Sequence, residues 1–352
     1  MTRKVLMKGN EAIAEAAIQA GCRHYFGYPI TPQTEIAAYM ASRMPEVGGV
    51  FLQAESEISA INMVYGASST GARVMTSSSS PGISLKQEGL SYIAGSELPC
   101  VIVNVMRGGP GLGGILPSQS DYFQAVKGGG HGDYKTFVIA PNTVQEMYDY
   151  TMLAFDIADR YRITAMILAD GHLGQVMEPM VVNASEKTES VKKDWALTGT
   201  GKEREHNVIT SIHLKGEDLE NHNNRLQAKY AKIQENEVKY ELFNCENADA
   251  IIVAYGSVSR IAKDAVKQAR KEGIKIGLLR PITLWPFPKN IIADLAEKAK
   301  CFVVTEMSTG QMLEDVKLAV NGKCPVLFHG RTGGMVPLKQ DILKVVKEGL
   351  SS

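Results

Sequence analysis

Apolar and polar residues alternate along residues 1–182 in a pattern that predicts short buried strands joined by amphipathic helices. In the segment QTEIAAYMASRM, Ile36, Met40 and Met44 recur at helical spacing and fall on one face. The segment PCVIVNVM is instead a nearly continuous apolar run, which is typical of a strand that is covered on both faces. This alternation predicts a doubly wound α/β domain with a mainly parallel sheet over residues 1–182.

The helices of this first domain should begin and end at recognisable local signals, and its strands should coincide with the short apolar runs. Asn10 is placed to cap the first helix, and Gly21 is suited to end it because glycine tolerates a left-handed backbone. Thr143 and Glu146 form a capping-box pattern at the start of a later helix. The predicted strands are HYFGY, GVFLQ, RVMTSS, PCVIVNVM, TFVIA and ITAMILA.

The character of the sequence changes after residue 182. Residues 183–247 are dense in charge and predict a polar connector that contains a solvent-facing helix from about Leu219 to Leu242. Apolar runs return at residue 248, where AIIVAYGS, IGLLR, CFVVTE and PVLFHG predict strands that alternate with helices. Residues 248–352 are therefore predicted to form a second, smaller α/β domain.

Composition and charge change this picture by excluding some classes of function. The chain of 352 residues balances 38 Lys and Arg against 38 Asp and Glu, which argues against binding to nucleic acid or to a membrane surface. No apolar window approaches the roughly 18 residues of a spanning helix, and the N-terminus lacks the apolar core of an export signal. The five scattered cysteines contain no CxxC pair and predict reduced core thiols in the cytoplasm rather than a metal or cluster site.

The stretch GYPITPQTE places two prolines around a threonine, directly before a predicted helix. Pro29 and Pro32 each fix their own backbone and hold the preceding residues, Tyr28 and Thr31, in an extended conformation. If Pro32 is the first helical residue, Thr31 is the N-cap of that helix. The alternative is that the rigid turn directs the Thr31 hydroxyl group at a ligand, a role that the same helix N-terminus would assist.

Two charged residues are predicted at places where strands of the sheet end. Glu57 opens a helix directly after the strand GVFLQ, where it either complements the helix dipole or presents a carboxyl group to a ligand. Arg107 ends the most apolar strand of the chain, and burying a guanidinium group without an anion is costly. Arg107 therefore either forms a salt bridge with a neighbouring carboxylate or binds an anionic ligand.

Four segments together resemble the alpha subunit of the 2-oxoacid:ferredoxin oxidoreductases. They are, in order, YPITP, SEISAINMVYGAS, TSSSSPGISLKQEG and MRGGPG, and the likeness covers nearly the whole chain. It implies that residues 1–182 form a pyrimidine-type thiamine diphosphate-binding domain and that residues 248–352 form a transketolase C-terminal-like domain. The implied reaction is the oxidative decarboxylation of a 2-oxoacid to acyl-CoA, with electrons passed to ferredoxin. The pattern looks most similar to the branched-chain (2-oxoisovalerate) members.

The resemblance also implies roles for the three candidate residues. Glu57 would bind N1′ of the cofactor's aminopyrimidine ring and act catalytically, because a carboxyl group there stabilises the imino tautomer that takes the proton from thiazolium C2. Thr31 and Arg107 match the family's substrate contacts. A guanidinium fork suits the carboxylate that all 2-oxoacids share.

The chain lacks two parts that the implied reaction needs. The segment ADGHLGQ contains only a fragment of the magnesium–diphosphate motif, and the cysteines of the iron–sulfur clusters are absent. The resemblance therefore implies a beta-type partner that supplies the Mg²⁺ and diphosphate site and a ferredoxin-like subunit that carries the clusters. It further implies a gamma-type subunit and a dimer of such hetero-oligomers. The chain is expected to be inactive alone.

Several alternatives stay open at the level of the sequence. The mostly apolar loop GGILPSQSDYF favours a branched-chain 2-oxoacid, whereas 2-oxoglutarate and pyruvate are the other substrates that the family would allow. A transketolase-like thiamine enzyme fragment without ferredoxin coupling would also fit the pattern, as would a non-catalytic assembly subunit of the same fold.

Overall fold

The computed structural model describes residues 2–183, 191–201 and 203–351, which form two mainly parallel sheets and a two-stranded ribbon. The strands are β1 (Thr2–Lys8), β2 (His24–Gly27), β3 (Val50–Gln53), β4 (Val74–Ser78), β5 (Cys100–Met106), β6 (Phe137–Ile139), β7 (Thr164–Asp170), β8 (Met177–Asn183), β9 (Tyr240–Phe243), β10 (Ala250–Val253), β11 (Ile276–Pro281), β12 (Thr283–Trp285), β13 (Cys301–Glu306) and β14 (Val326–Gly330). The helices are α1 (Gly9–Gln19), α2 (Thr34–Glu46), α3 (Glu57–Ser69), α4 (Ser80–Leu85), α5 (Gln87–Gly95), α6 (Val144–Tyr161), α7 (Gly171–Gln175), α8 (Gly216–Asn236), α9 (Gly256–Lys271), α10 (Lys289–Ala296), α11 (Gln311–Val320) and α12 (Lys339–Ser351), with a π-helical turn at Gln124–Gly128. Among the helices of these ranges, none is both long and apolar enough to cross a membrane.

The larger sheet has seven strands in the order β12-β6-β7-β5-β4-β2-β3, and its pairings are parallel except for the edge pair β12–β6. The smaller sheet has five strands in the order β14-β13-β10-β11-β9, parallel except for β9–β11. Strands β1 and β8 pair antiparallel outside both sheets. The doubly wound, mainly parallel α/β fold predicted from the sequence is confirmed.

The centre of the larger sheet is buried throughout. Every residue of β4, β5 and β7 is buried, as expected for continuous apolar runs in a parallel sheet. The carboxyl ends of these three strands, at Ser78, Met106 and Asp170, lie at one edge of the sheet because the strands are parallel. Ligands bind at this edge in open α/β folds, and the segments that follow the strands therefore position the candidate site.

Each sheet takes an edge strand from sequence outside its own predicted domain. Strand β12 belongs to residues 248–352 but pairs with β6 of the larger sheet, with Thr283 opposite Ile139 and Trp285 opposite Val138. Strand β9 belongs to the predicted connector but pairs with β11 of the smaller sheet. The boundaries 1–182, 183–247 and 248–352 stay a prediction.

The connector helix is shorter and less exposed than predicted. α8 ends at Asn236, and the chain continues into β9 rather than extending the helix to residue 242. Leu226, Tyr230 and Ile233 are buried, and the Tyr230 ring meets the Trp285 ring edge-on with centroids 5.7 Å apart. The many charges around this stripe concealed it in the sequence. Residues 184–190 and 202 of the predicted connector lie outside the described residues.

The first helix starts earlier than predicted, and the proposed cap at Asn10 is wrong. β1 continues to Lys8, so α1 begins at Gly9 and Lys8 occupies the cap position. The Lys8 backbone N–H donates to Oε2 of Glu11 (3.2 Å). Asn10 is buried inside the helix, and its side chain is used elsewhere. Gly21 follows the helix with a φ of +81°, as predicted for a residue that ends it.

Candidate active site

Glu57 begins α3 and is buried at the edge of the larger sheet. The Ser56 hydroxyl group caps the helix by accepting the N–H of Ser59 (3.2 Å), so the helix start does not depend on the Glu57 side chain. Glu57 is only 5% exposed, and no residue that the structure describes donates a hydrogen bond to its carboxylate. Such burial is costly unless a partner supplies donors, so it indicates a ligand rather than a role limited to the helix dipole.

The backbone of α4 approaches the Glu57 carboxylate at a glycine. A Cβ atom added to Gly82 would lie 2.5 Å from Oε1 of Glu57 and 2.1 Å from Oγ of Ser78. Any side chain at this position would displace the carboxylate, which explains why a glycine follows Pro81 here. The buried hydroxyl groups of Ser78 and Ser79 have no hydrogen-bond partner within the described ranges. One carboxylate and two unpaired hydroxyl groups at the start of α4 fit a heteroaromatic ring that carries donor and acceptor nitrogen atoms.

Arg107 is buried directly after β5, and no described carboxylate forms an ion pair with it. Its Nη1 donates to the carbonyl oxygen of Thr31 (3.0 Å), and its Nη2 donates to that of Leu112 (3.3 Å). Its buried Nε has no hydrogen-bond partner among the residues that the structure describes. The alternative of a salt bridge is not realised in the part of the chain that the structure describes. A buried guanidinium group that is held only by carbonyl groups is suited to an anionic ligand.

The backbone of Arg107 is fixed by a polar network that sequence reasoning missed. The Arg107 N–H donates to Oγ of Ser80 (3.0 Å), and that hydroxyl group lies 2.6 Å from Oδ2 of Asp121, to which it donates. Asn104 donates to the same carboxylate oxygen (2.9 Å). Burial raises the pKa of Asp121, and the hydrogen bonds from Ser80 and Asn104 oppose this shift. The available signal was Asn104, a polar residue inside the apolar run PCVIVNVM.

Thr31 lies in the turn before α2, and the prediction that it caps this helix is wrong. The helix starts later than assumed, and Gln33 occupies its cap position. The turn is fixed from outside: Oε1 of Gln33 accepts a hydrogen bond from Oγ of Ser77 (2.5 Å). The Pro32 carbonyl oxygen accepts one from Nδ2 of Asn10 (2.8 Å). These long-range contacts, rather than the prolines alone, determine where α2 begins.

The side chain of Thr31 is exposed, and its hydroxyl group makes no hydrogen bond within the described residues. The structure brings Thr31 and Arg107 into contact through the Thr31 carbonyl group. Glu57 has no direct hydrogen bond to either residue, and α4 connects the three. Ser80 at the start of α4 holds Arg107, and Gly82 in the same helix contacts Glu57.

A cleft of about 460 Å³ opens beside Thr31 and is lined in part by Ile115, Leu116 and Pro117. A somewhat larger cleft of about 540 Å³ lies beside Trp285 and contacts none of the three candidate residues. Cleft size therefore does not locate the site. Burial without described hydrogen-bond partners and a charge without a described counter-ion instead indicate a candidate site at the carboxyl edge of the larger sheet.

The described residues contain no candidate metal site. No set of three or more His, Cys, Asp or Glu residues there is arranged to hold a metal ion. Burial raises the pKa of the Cys22 and Cys100 thiols to about 12, so both remain protonated, which is unfavourable for metal ligation.

Two family models match most of the chain. Residues 15–242 match "Pyruvate flavodoxin/ferredoxin oxidoreductase, thiamine diP-bdg", and residues 248–342 match "Pyruvate:ferredoxin oxidoreductase core domain II". The ketoisovalerate oxidoreductase subunit VorB of Methanothermobacter marburgensis is 53% identical over 343 residues, which cover 97% of each protein. The 2-oxoglutarate synthase subunit KorA of Methanocaldococcus jannaschii is 36% identical over 97% of this chain and 98% of its own length.

A solved structure matches the fold over almost the whole chain. It is the 2-oxoglutarate:ferredoxin oxidoreductase from Magnetococcus marinus with 2-oxoglutarate, coenzyme A and succinyl-CoA bound. The match has a TM-score of 0.90 and 28% sequence identity over 99% of this chain. This chain covers 65% of the length of that solved chain, slightly less than two thirds.

These matches confirm the family resemblance that the sequence motifs indicated, and the transketolase-like alternative is set aside. The Glu57 carboxylate and the unpaired hydroxyl groups of Ser78 and Ser79 fit the aminopyrimidine of thiamine diphosphate, for which the matched family model is described. The chain therefore belongs to the pyruvate flavodoxin/ferredoxin oxidoreductase family, as a subunit of a multi-subunit, thiamine diphosphate-dependent 2-oxoacid oxidoreductase.

Proposed function

We propose that this chain is the alpha-type subunit of a branched-chain 2-oxoacid:ferredoxin oxidoreductase and that Glu57, Thr31 and Arg107 form its share of the active site. Such an enzyme converts a 2-oxoacid and coenzyme A to acyl-CoA and CO₂ and passes two electrons to ferredoxin. The observation that carries a catalytic role is the Glu57 carboxylate, which is 5% exposed and receives no hydrogen bond from any described residue.

Glu57 would hold the aminopyrimidine ring of the cofactor at N1′. Thiamine diphosphate, when bound, supplies the electron sink for decarboxylation. The carboxyl group of Glu57 holds a proton at the ring nitrogen, and its burial keeps that proton from exchanging freely with solvent. Gly82 leaves room for this contact. The hydroxyl groups of Ser78 and Ser79, which have no described partner, lie nearby at the junction of β4 and α4.

Arg107 would bind the carboxylate of the substrate, with Thr31 beside it. The guanidinium group has one unpaired N–H at Nε and is otherwise held only by carbonyl oxygens, so its charge is available to an anion. Nη1 of Arg107 donates to the Thr31 carbonyl oxygen (3.0 Å), so the two residues lie side by side and could contact the same substrate. The free hydroxyl group of Thr31 can then donate to the substrate carboxylate or ketone.

The Thr31 role predicts different results for two substitutions in the assembled enzyme. Thr31→Ser should keep most activity because it retains the hydroxyl group. Thr31→Ala should lower kcat/KM roughly 10- to 100-fold, as expected when one hydrogen bond to a charged group is lost. Steady-state kinetics and melting temperature should be measured together. An Ala variant with unchanged kinetics per folded molecule would remove Thr31 from the site.

The proposed preference for branched-chain substrates is supported by the surroundings of Thr31. The adjacent cleft contains Ile115, Leu116 and Pro117, and among its described lining residues are Glu35 but no Lys or Arg. The Glu35 carboxylate is already paired with Lys8 (3.1 Å), so a second carboxylate, as in 2-oxoglutarate, would find no unpaired cation among the described residues of this cleft. The higher identity to a ketoisovalerate oxidoreductase subunit than to 2-oxoglutarate synthase subunits points the same way.

The proposed partners follow from what this chain does not carry. Its cysteines have no cluster spacing, so we assign the iron–sulfur clusters to a ferredoxin-like subunit and the Mg²⁺ and diphosphate site to a beta-type subunit. A gamma-type subunit would complete a hetero-oligomer that pairs into a dimer in the cytoplasm. Large apolar side chains near the site, such as Ile58, Leu85 and Leu112, are exposed in the single chain and would be covered by a partner.

A substrate survey tests this proposal. The chain should be coexpressed with the neighbouring genes of its operon, and the purified complex assayed with coenzyme A, a viologen acceptor and a series of 2-oxoacids. We expect 2-oxoisovalerate to give a higher kcat/KM than 2-oxoglutarate or pyruvate and the isolated chain to be inactive. A complex that prefers 2-oxoglutarate would refute the substrate assignment. Full activity of the isolated chain would refute the divided site.

A further inference from the structure

Lys86 is a completely buried lysine that none of the roles described so far uses. It joins α4 to α5 and has 0% of its surface exposed. Within the described ranges its Nζ makes one hydrogen bond, to Oγ1 of Thr76 (2.9 Å), and forms no ion pair. An ammonium group has three N–H donors, and burying it with a single neutral acceptor is costly. A purely structural tether to β4 could be made by an uncharged side chain.

The fold places the Glu57 carboxylate near Lys86. Gly82, one helical turn before Lys86, approaches both Oε1 of Glu57 and Oγ of Ser78, and Lys86 donates to Thr76, which lies on the same face of β4 as Ser78. Burial lowers the pKa of Lys86 to about 8, and the negative charge of Glu57 opposes that shift. β4 contributes the Thr76 hydroxyl group, which does not titrate in this range. Glu88, on the adjacent helix α5, is exposed and accepts a hydrogen bond from the Tyr92 hydroxyl group (2.6 Å). Lys86 is thus a buried cation beside the buried carboxyl group of Glu57, and it forms no ion pair with any other described residue.

We propose that Lys86 is a positioning residue for the thiamine site, whose buried ammonium group supplies the counter-charge of the Glu57 carboxylate. This inference rests on the proposed role of Glu57. Because Glu57 is only 5% exposed, an isolated carboxylate there is disfavoured, and the ammonium group offsets that penalty without touching the cofactor. The hydrogen bond to Thr76 holds the ammonium group against β4, and the proposed role depends on its charge rather than on this bond.

Three substitutions separate this electrostatic role from a structural one. Lys86→Met has similar length and no charge, so it removes the counter-charge while filling the space. Lys86→Arg keeps a charge that does not titrate below about pH 12. Thr76→Val is the matched control, because it removes the only described hydrogen bond of Lys86 and leaves its charge in place. If Lys86 were only a tether, the Met and Val variants would behave alike.

The direct readout is the affinity of the assembled complex, stripped of cofactor, for thiamine diphosphate with Mg²⁺, measured by calorimetry between about pH 7 and pH 9. Lys86 is charged below its pKa of about 8 and neutral above it, so wild-type affinity should fall as pH rises through about 8. Lys86→Met should bind at least about tenfold more weakly at pH 7, with a flatter pH profile. Thr76→Val should keep the profile, and Lys86→Arg should lose it while retaining affinity at pH 9.

The outcomes distinguish this inference from the proposed function. If Glu57→Gln impairs cofactor binding or turnover but Lys86→Met binds as Thr76→Val does, the Lys86 inference fails alone. If Glu57→Gln has no effect, the proposed role of Glu57 fails and the inference fails with it. Should Lys86→Met not assemble, Lys86→Arg decides: a decrease in affinity through pH 8 that persists in this variant would show that Lys86 is not its source.

Discussion

Replacing Glu57 with Gln is expected to leave the fold and the complex intact and to lower kcat by roughly 10²- to 10⁴-fold. Gln has nearly the same shape, so the contact with Gly82 is kept. An amide cannot hold or release the proton at the ring nitrogen as a carboxyl group can. The side chain is 5% exposed, so water cannot readily substitute for the missing group.

Glu55 provides the matched control for this substitution. It lies two positions earlier, is exposed, and its Oε1 accepts a hydrogen bond from Oγ of Ser59 (2.6 Å). Glu55→Gln should therefore retain turnover. Both variants should be assayed for kcat in the reconstituted complex, with assembly checked by size-exclusion chromatography. Near-normal turnover of Glu57→Gln would contradict the assignment and would favour a non-catalytic assembly subunit, unless Glu55→Gln were impaired in its place.

Replacing Arg107 with Leu should raise KM for every 2-oxoacid alike, because all of them share the carboxylate that the guanidinium group would bind. Loss of a hydrogen bond to a charged group is worth about 1.5–3 kcal/mol, which corresponds to roughly 10- to 150-fold. The effect should not depend on the side chain of the substrate, since that side chain would lie away from Arg107. Steady-state kinetics with at least three 2-oxoacids would measure it.

Arg107 also stabilises the fold through its own hydrogen bonds, and the controls must separate this role from substrate binding. Leu removes the hydrogen bonds to the carbonyl groups of Thr31 and Leu112, so some loss of melting temperature is expected. Arg107→Lys keeps the positive charge without the planar fork and should fall between wild type and Leu in KM. If Arg107→Leu impaired assembly while the assembled fraction bound substrate normally, the residue would be structural and the anion site would lie elsewhere.

The sequence predicted the centre of the fold well and missed two of the four edge strands of its two sheets. β4, β5 and β7 are continuous apolar runs because both faces of a central parallel strand are buried. The edge strands β3 and β14 were predicted from apolar runs, whereas the short strands β9 and β12 stand in no such run. β9 and β12 are defined by pairing with strands more than thirty residues away, which local sequence cannot reveal.

The site shows the same division between local and long-range information. Glu57 and Arg107 were identifiable because each charge stands beside a strand end. The start of α2 was not, since it depends on contacts of Asn10 and Ser77 that come from other elements. Lys86 could have been noticed: it lies at helical spacing between Ile83 and Leu90, two buried apolar residues, where a lysine is unexpected.

The pairing of β12 with the larger sheet has a consequence for how this protein can be divided or can evolve. β12 covers the open edge of β6, and Arg280 next to it donates two hydrogen bonds to Glu146 of α6 (2.7 and 2.8 Å). A fragment that ended at residue 247 would leave β6 as a bare strand edge, which is a template for aggregation. Gene fission or domain shuffling at this boundary would therefore produce aggregation-prone fragments, and selection should remove it. The two sheets are expected to be inherited, and to unfold, as one cooperative unit.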